Sequence, residues 1–432
     1  MSNPQPHEAF KPAYRSYVLV LITIAYVFSF VDRQVMTILI EPIKHEFGAS
    51  DTQMGFLSGL AFALFYATLG LPVARLADRW SRTKVLSLAL TTWSGMTALC
   101  ATATGFWHLA LLRFGVGIGE AGGTPPAQSL LADYFPPERR AFAQGVFATG
   151  PNFGVLIGLF GGAILAQAYG WRSVFVIFGL PGIALALLLY LTVREPARVA
   201  TSTETDDSSL WRAVVGMARL PSFMFIALGV GFSGIAGYGL GAWLPSFLVR
   251  VHQVSLVEAG FYLGMIGVVG GSLGTILSGI LVDRLSQRDP RWQLRVPALG
   301  LAAGLPFLLL FLLWPESDVI TLGERQIPFA LPFMLVSSVF GSFWIAPAYA
   351  AVQNLVPQHW RTQAAALLLF VFNLLGLGLG PLVVGMLSDS LSHLGEESIR
   401  YAMVASLATM VIGVQLFWSG STPYARHLQS GR

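Results

Sequence analysis

Two short stretches place charged residues where charge is expensive. One is Val31-Asp32-Arg33-Gln34; the other runs from Leu112 to Gly123 and carries Arg113 and Glu120. Both lie inside apolar runs long enough to cross a bilayer. A charge at the centre of a spanning helix costs roughly 2.5–3.5 kcal/mol on insertion scales, so four of them in two runs imply a use. Asp32 and Glu120 are the only acidic residues deep in any apolar run, and Arg33 and Arg113 the only basic ones. The histidines (His7, His45, His108, His252, His359, His393 and His427) all lie near the ends of runs or outside them. Proton exchange therefore falls to a carboxylate. Burial and a neighbouring arginine push a carboxyl's proton affinity in opposite directions, so a carboxyl subject to both can switch. Glu120 is the expected proton carrier and Asp32 the second candidate. Arg33 and Arg113, with the same two acids, are expected to hold a charged substrate group. The competing reading is a static ion pair pinning two helices, since buried pairs often stabilise no better than apolar replacements. Transport pathways are where intramembrane charges concentrate, which favours the functional reading.

Spacing adds geometry. Arg113 and Glu120 are two helical turns apart, on nearly the same face. Gly115, Gly117 and Gly119 lie between them and strip the helix of bulk, as expected of a cavity wall. At 1.5 Å per residue, Asp32 lies about 15 Å below the outer end of its helix, between Arg113 at about 9 Å and Glu120 at about 20 Å. A cluster of the four is geometrically reasonable.

The elements that must position these residues follow from composition. The chain has 432 residues, 54% hydrophobic and 11% charged, with a mean hydropathy of +0.65. Soluble domains carry about 25% charged residues, so this is a multi-pass, all-α membrane protein. Twelve runs of spanning length can be marked, near 16–40, 52–74, 84–104, 106–132, 140–165, 172–193, 220–249, 256–282, 294–314, 328–354, 363–388 and 398–419. The polar stretch 194–219, with Thr201-Ser202-Thr203-Glu204-Thr205-Asp206-Asp207, divides a six-helix half (1–193) from a second (220–432). Arginines and lysines crowd one set of loops, from Arg75 to Lys84, Arg139 and Arg140, Arg194 to Arg219, Arg284 to Arg295, and Arg361; both tails share that side. This bias places both termini in the cytoplasm. The net charge of +4 is thus membrane topology, and no nucleic-acid partner is expected. The single Cys100 lies in an apolar run and excludes a disulfide framework or thiolate metal site. No nucleophile, metal cluster or nucleotide loop appears at a usable spacing, so neither enzymatic activity nor a cofactor is expected.

The halves resemble each other. Ala74-Arg75-Leu76-Ala77-Asp78-Arg79 after run 2 matches Gly279-Ile280-Leu281-Val282-Asp283-Arg284 after run 8. Phe135-Pro136-Pro137-Glu138-Arg139-Arg140 echoes Val356-Pro357-Gln358-His359-Trp360-Arg361, and that alignment brings Asn152 opposite Asn373. Repeated halves describe a transporter with its site between them near mid-membrane; an ion channel is the weaker reading. A cytoplasmic gate is expected from Asp78, Arg79, Arg82, Lys84, Asp283 and Arg284, with Asp133 or Glu138 as acidic partners. The second half offers no deep charge, only Asn373 and aromatics such as Tyr238, Trp243, Tyr262, Trp344 and Tyr349 among glycine-rich runs. Asn373 and Tyr349 are taken as substrate contacts there. A cavity charged on one wall and apolar on the other suits an amphiphile. Glycine and proline pairs such as Gly150-Pro151, Gly241 with Pro245, and Gly380-Pro381 mark expected kinks or close helix approaches.

The loop Ala74 to Lys84 resembles the loop signature of the major facilitator superfamily, with Ala74 and Ser81 where glycines are usual. Four further pieces resemble the Spinster family of lipid transporters: Val31-Asp32-Arg33-Gln34, Arg113 to Ala121, Tyr134-Phe135-Pro136-Pro137, and Gly378-Leu379-Gly380-Pro381 running to Asp389. The resemblance implies secondary transport of sphingolipid-like or lysophospholipid-like molecules coupled to protons, with Asp32, Arg33, Arg113 and Glu120 as functional positions. The compact tails resemble a bacterial member, expected as a monomer in the inner membrane. The reading is therefore a proton-coupled alternating-access transporter of a lipid-like solute. The alternatives are an organic-anion symporter clamping a carboxylate with Arg33 or Arg113, a multidrug proton antiporter, and a non-transporting receptor or scaffold.

Overall fold

The computed structural model describes residues 10–196, 214–322, 325–357 and 360–430. Most of the divider at 194–219 lies outside the described residues. The chain groups into two units, 1–49 with 61–203, and 50–60 with 204–432.

In the first unit, α1 (Pro12–Ile38) carries Ser29, Asp32 and Arg33 and is followed by α2 (Ile40–Phe47). A short α3 (Asp51–Ser58), belonging to the second unit, leads into α4 (Leu60–Arg79). The chain then forms α5 (Arg82–Cys100), α6 (Phe106–Glu120), α7 (Thr124–Tyr134), α8 (Pro137–Phe147), α9 (Gly150–Leu156), a π-helical stretch Ile157–Gly161, α10 (Gly162–Tyr169) and α11 (Trp171–Thr192). α5 packs between α6 and α11, while α1 packs on α9, its π-helical continuation and α11. Gly170, at φ +79°, joins α10 to α11 in a conformation open chiefly to glycine.

The second unit holds α12 (Pro221–Arg250), α13 (Leu256–Ser286), α14 (Trp292–Leu313), α15 (Leu331–Gly341), α16 (Ile345–Asn354), α17 (Arg361–Val371), a π-helical stretch Phe372–Leu379, α18 (Gly380–Ser390) and α19 (Ser398–Ser430). α12 and α14 pack on α19, and α15 packs on α13 and α14. Ser255 and Glu258 form a capping box that starts α13, as Ser50 and Gln53 do for α3. An antiparallel hairpin, β1 (Val319–Leu322) and β2 (Arg325–Pro328), joins α14 to α15; alternation over so few residues gave no sequence signal for it.

Among the described residues, ten helices or helix runs are long and apolar enough to cross a membrane. The expected third run is present as α5, but Arg82 and Lys84 dilute its apolar character. The expected fourth run, 106–132, is divided at Ala121–Gly123 into α6 and α7. Leu187, Leu191, Leu273, Ile276 and Ile280 are exposed. Apolar surface on that scale belongs against lipid.

Candidate functional site

The four deep charges are brought together in the first unit. Asp32 and Arg113 are each 1% exposed and Glu120 is 2% exposed. Arg33 closes on Glu120 with two nitrogens. Its Nε donates to Oε2 at 2.9 Å, and a terminal nitrogen lies 2.8 Å from the same oxygen. The Ser29 hydroxyl, one turn before Arg33 on α1, also donates to Oε2, at 2.8 Å. The Arg33 guanidinium is enclosed by Phe30, Phe62 and Tyr66, with ring centroids at 5.0, 4.9 and 4.5 Å. These rings hold a cation away from water without competing for its donors.

Asp32 and Arg113 are different. Among the described residues neither carboxylate oxygen of Asp32 has a hydrogen-bond partner of good geometry, although Thr97 lies close enough to donate, nor do Nε and one terminal nitrogen of Arg113. Asp32 nonetheless lies within electrostatic reach of Glu120, Arg113 and Arg33. Burying such groups without hydrogen bonds costs several kcal/mol each. The site therefore combines one closed ion pair with two buried ionisable groups whose bonding capacity is only partly spent.

The glycines of α6 do something other than open a cavity. A Cβ on Gly119 would lie 2.5 Å from the Trp93 backbone nitrogen, and one on Gly117 would lie 2.5 Å from the Phe62 carbonyl oxygen. They seat α6 directly on α5 and α4. The thin helix is a packing device, and the charges enter the site from it at fixed depth.

At the end of α5 that carries the basic loop, buried Arg82 joins Asp133 as expected. Two partners were not anticipated. Arg82 Nε donates to Glu195 at 2.8 Å, and its Nη1 donates to Ser129 at 3.0 Å. Glu195 also accepts from the Ser81 hydroxyl and the Thr83 backbone N–H, both at 2.9 Å, and so caps α5. Burial pushes the Glu195 carboxyl up, but these hydrogen bonds and Arg82 outweigh it and hold it below the usual range. The sequence signal was there: Glu195 is an acid placed among arginines just before Pro196. Tyr134 donates to the Arg194 carbonyl and Tyr14 to the Thr192 carbonyl, pinning the same chain exit.

The remaining expected gate residues divide. Asp78 and Arg79 sit at the end of α4, and their side chains lie outside those described. Asp283 and Arg284 are exposed near the end of α13, with no ion pair among the described residues. Asn373 is buried in the π-helical stretch before α18, and Tyr349 is half-buried in α16. Trp243 is a strut rather than a cavity wall: its indole N–H donates to the Pro381 carbonyl at 2.9 Å.

A second charged centre, missed in the sequence, lies in the second unit. Arg250 clamps Asp51 through two nitrogens at 2.8 Å each. Ser388 donates to Asp51 at 2.6 Å, while Asp389 accepts from the backbone N–H groups of Asp51 and Thr52.

Comparison with known proteins sets this geometry in context. The sequence profile of the Major Facilitator Superfamily matches residues 22–381. A Mycolicibacterium smegmatis protein described as an MFS-type efflux pump is 37% identical over 404 residues, spanning 93% of this chain and 91% of that one. Human protein spinster homolog 1 is 27% identical over 397 residues, 86% of this chain and 73% of that one. The crystal structure of a bacterial homologue of the human lysosomal transporter Spinster, inward-facing and unoccupied, superposes with a TM-score of 0.85 at 31% identity. The match covers 97% of this chain and 99% of the other.

Proposed function

The chain belongs to the major facilitator superfamily and to its Spinster family, and from that premise we propose that it is a proton-coupled transporter of an amphipathic, lipid-like solute. It is a multi-pass membrane transporter; the substrate, the coupling ion and the inner-membrane location belong to this reading. The observation that carries it is Glu120, a buried carboxylate held on one oxygen by Arg33 and Ser29 beside buried Asp32 and Arg113, which among the described residues are poorly supplied with hydrogen bonds.

Protonation of Glu120 removes the charge that holds Arg33. The guanidinium, still walled by Phe30, Phe62 and Tyr66, can then turn the two nitrogens it sets on Glu120 to an anionic headgroup. Binding of that group and loading of the proton thus favour each other. Release of the proton restores the Arg33–Glu120 pair and expels the headgroup. A solute with one charged end and an apolar remainder suits a site whose deep charges all come from α1 and α6. Asn373 and Tyr349 would meet the remainder of the molecule, and Arg82, Asp133 and Glu195 would hold the basic-loop end closed between cycles. Alternating access would be carried by two six-helix halves, 1–193 and 220–432, joined by 194–219, with both termini cytoplasmic and the monomer sufficient.

The printed description of the Mycolicibacterium relative favours a second reading, export of a cationic or neutral amphiphile as an efflux pump. Proteoliposomes with an imposed pH gradient separate the two. The lipid reading requires a lysophospholipid to move and to dissipate the gradient. Movement of a cationic amphiphile or a small carboxylate, with no movement of lysophospholipid, would overturn it.

A further inference from the structure

In the second unit, Arg295 in the first turn of α14 is a cation that no acid neutralises. Its guanidinium lies over two rings, Trp292 of the same turn at 6.0 Å and Trp418 of α19 at 5.2 Å. Among the described residues its side chain makes no ion pair and no hydrogen bond, and its Nε is buried without a partner. Arg33, Arg172 and Arg250 also lie over rings, but each has a carboxylate against it. Asp289, the acid just before α14, accepts from the Arg291 backbone N–H instead. A guanidinium has five donors in a planar fork, matched to carboxylate or phosphate. Here the fork is held by aromatic faces and its donors are unspent.

The surroundings of Arg295 belong to lipid. On α14, Arg291 and Leu299, one turn to either side, are exposed, whereas residues 293, 294 and 296–298 are buried. On α19 the exposed face carries Val411, Gln415 and Trp418, the last 45% exposed. The stacking of Arg295 on Trp418 sets these two stripes side by side, where α14 packs on α19. Helix rise fixes the depth. Arg295 lies about 28 Å from Trp314, which ends α14, and Trp418 lies about 30 Å from Ser398, which begins α19. Both spans match the hydrocarbon thickness of a bilayer, about 30 Å. Arg295 and its two tryptophans therefore stand at the headgroup level, where tryptophan concentrates. Leu299 and Val411 lie deeper, about 6 and 10 Å along their helices, at the level of acyl chains.

We propose that Arg295, between Trp292 and Trp418, binds the phosphate of an anionic phospholipid from the leaflet on the arginine-rich side. The fork takes two phosphate oxygens, and the acyl chains lie along Leu299 and Val411. Arg288 and Arg291 are exposed beside the site and repel a headgroup ammonium, so a net-negative headgroup is preferred to a zwitterionic one. The bound lipid is a fixed component of the second unit, not cargo. This site is separate from the deep charges of α1 and α6 and stands whether or not those carry a proton or a lipid.

The test offers the full chain in detergent equal amounts of phosphatidylglycerol and phosphatidylcholine with the same acyl chains, and reads the retained lipid by native mass spectrometry. The wild type is expected to retain one phosphatidylglycerol in preference to phosphatidylcholine. Arg295→Gln should lower that retention by about tenfold or more, the scale of hydrogen bonds to a charged group. Arg288→Gln removes a nearby exposed cation outside the stack and should leave retention at the wild-type level. Should Arg295→Gln melt markedly lower, Arg295→Met, which keeps an apolar stem on the rings, is read in its place with the same loss expected. Three outcomes overturn the site: no preference in the wild type, undiminished retention in the folded Arg295 variant, or equal losses in the Arg288 and Arg295 variants. A loss in Arg33→Gln without one in Arg295→Gln would put the lipid at the deep charges instead and overturn it equally.

Discussion

Arg33 sets two nitrogens on a single oxygen of Glu120, while the other oxygen, Oε1, has no hydrogen-bond partner among the described residues. The carboxylate thus keeps one oxygen uncommitted inside a buried ion pair. Glu120→Gln keeps the shape and removes the titration. Uphill accumulation driven by a pH gradient should fall by about two orders of magnitude or more, from the lower end of the range for loss of a positioned proton-transfer group, while substrate exchange persists. Glu120→Ala should be worse for stability, because it removes the carboxylate that the part-buried Arg33 clamps, a loss of up to about 3–5 kcal/mol. Thermal unfolding of the two variants side by side checks this ordering.

Glu195 ties the end of α11 to the start of α5 through Arg82, Ser81 and Thr83. Its carboxyl is held below the usual range. A depressed acid contributes stability that is fully present above its unfolded pKa, near 4.3, and is lost as pH falls through the folded value. The stability difference between wild type and Glu195→Gln should accordingly be largest near neutrality and shrink below about pH 4. Denaturation of both proteins across that range reads it directly.

His252, just beyond α12, is packed edge-on against Phe247. Burial, followed by the charge of Arg400, lowers its pKa to about 4. The unfolded chain, with a histidine near 6.5, binds more protons between the two values. Stability should rise with pH from about 4 to about 6.5 and be flat in this respect above that. His252→Phe should remove this component of the slope, seen as a smaller dependence of the melting temperature on pH across the same window.

Asp51 and Arg250 form a two-pronged pair, and Ser388 and Asp389 fix the helix start beneath it. Asp51→Asn and Arg250→Gln should each destabilise by about 3–5 kcal/mol, and the double variant by far less than the sum. A double-mutant cycle on unfolding gives the coupling; additivity would mean that the pair contributes nothing specific.

Much of this was legible in the chain itself. The cost of charge in an apolar run singled out Asp32, Arg33, Arg113 and Glu120, and the repeat of the Asp78 and Asp283 loops pointed to the superfamily. Arg82 with Asp133 followed from placing one basic loop beside one helix end. Ser29 was not legible, because a serine in a spanning helix is unremarked until its neighbour is known. The Asp51–Arg250 pair was hidden for another reason: its members are 199 residues apart, and periodicity carries no information about such partners. The glycines of α6 signal absence of bulk in the sequence, whereas in the structure they mark contact.

That contact has a mechanical consequence. With Gly117 against the Phe62 carbonyl and Gly119 against the Trp93 backbone, α6 has no clearance to slide or turn by itself past α4 and α5. A piston movement of the helix that bears Arg113 and Glu120 is therefore closed to this protein. Whatever strokes the transport cycle takes, α6 travels with α4 and α5 at these contacts, and the bond of Arg33 on α1 with Glu120 on α6 joins that block to its neighbour.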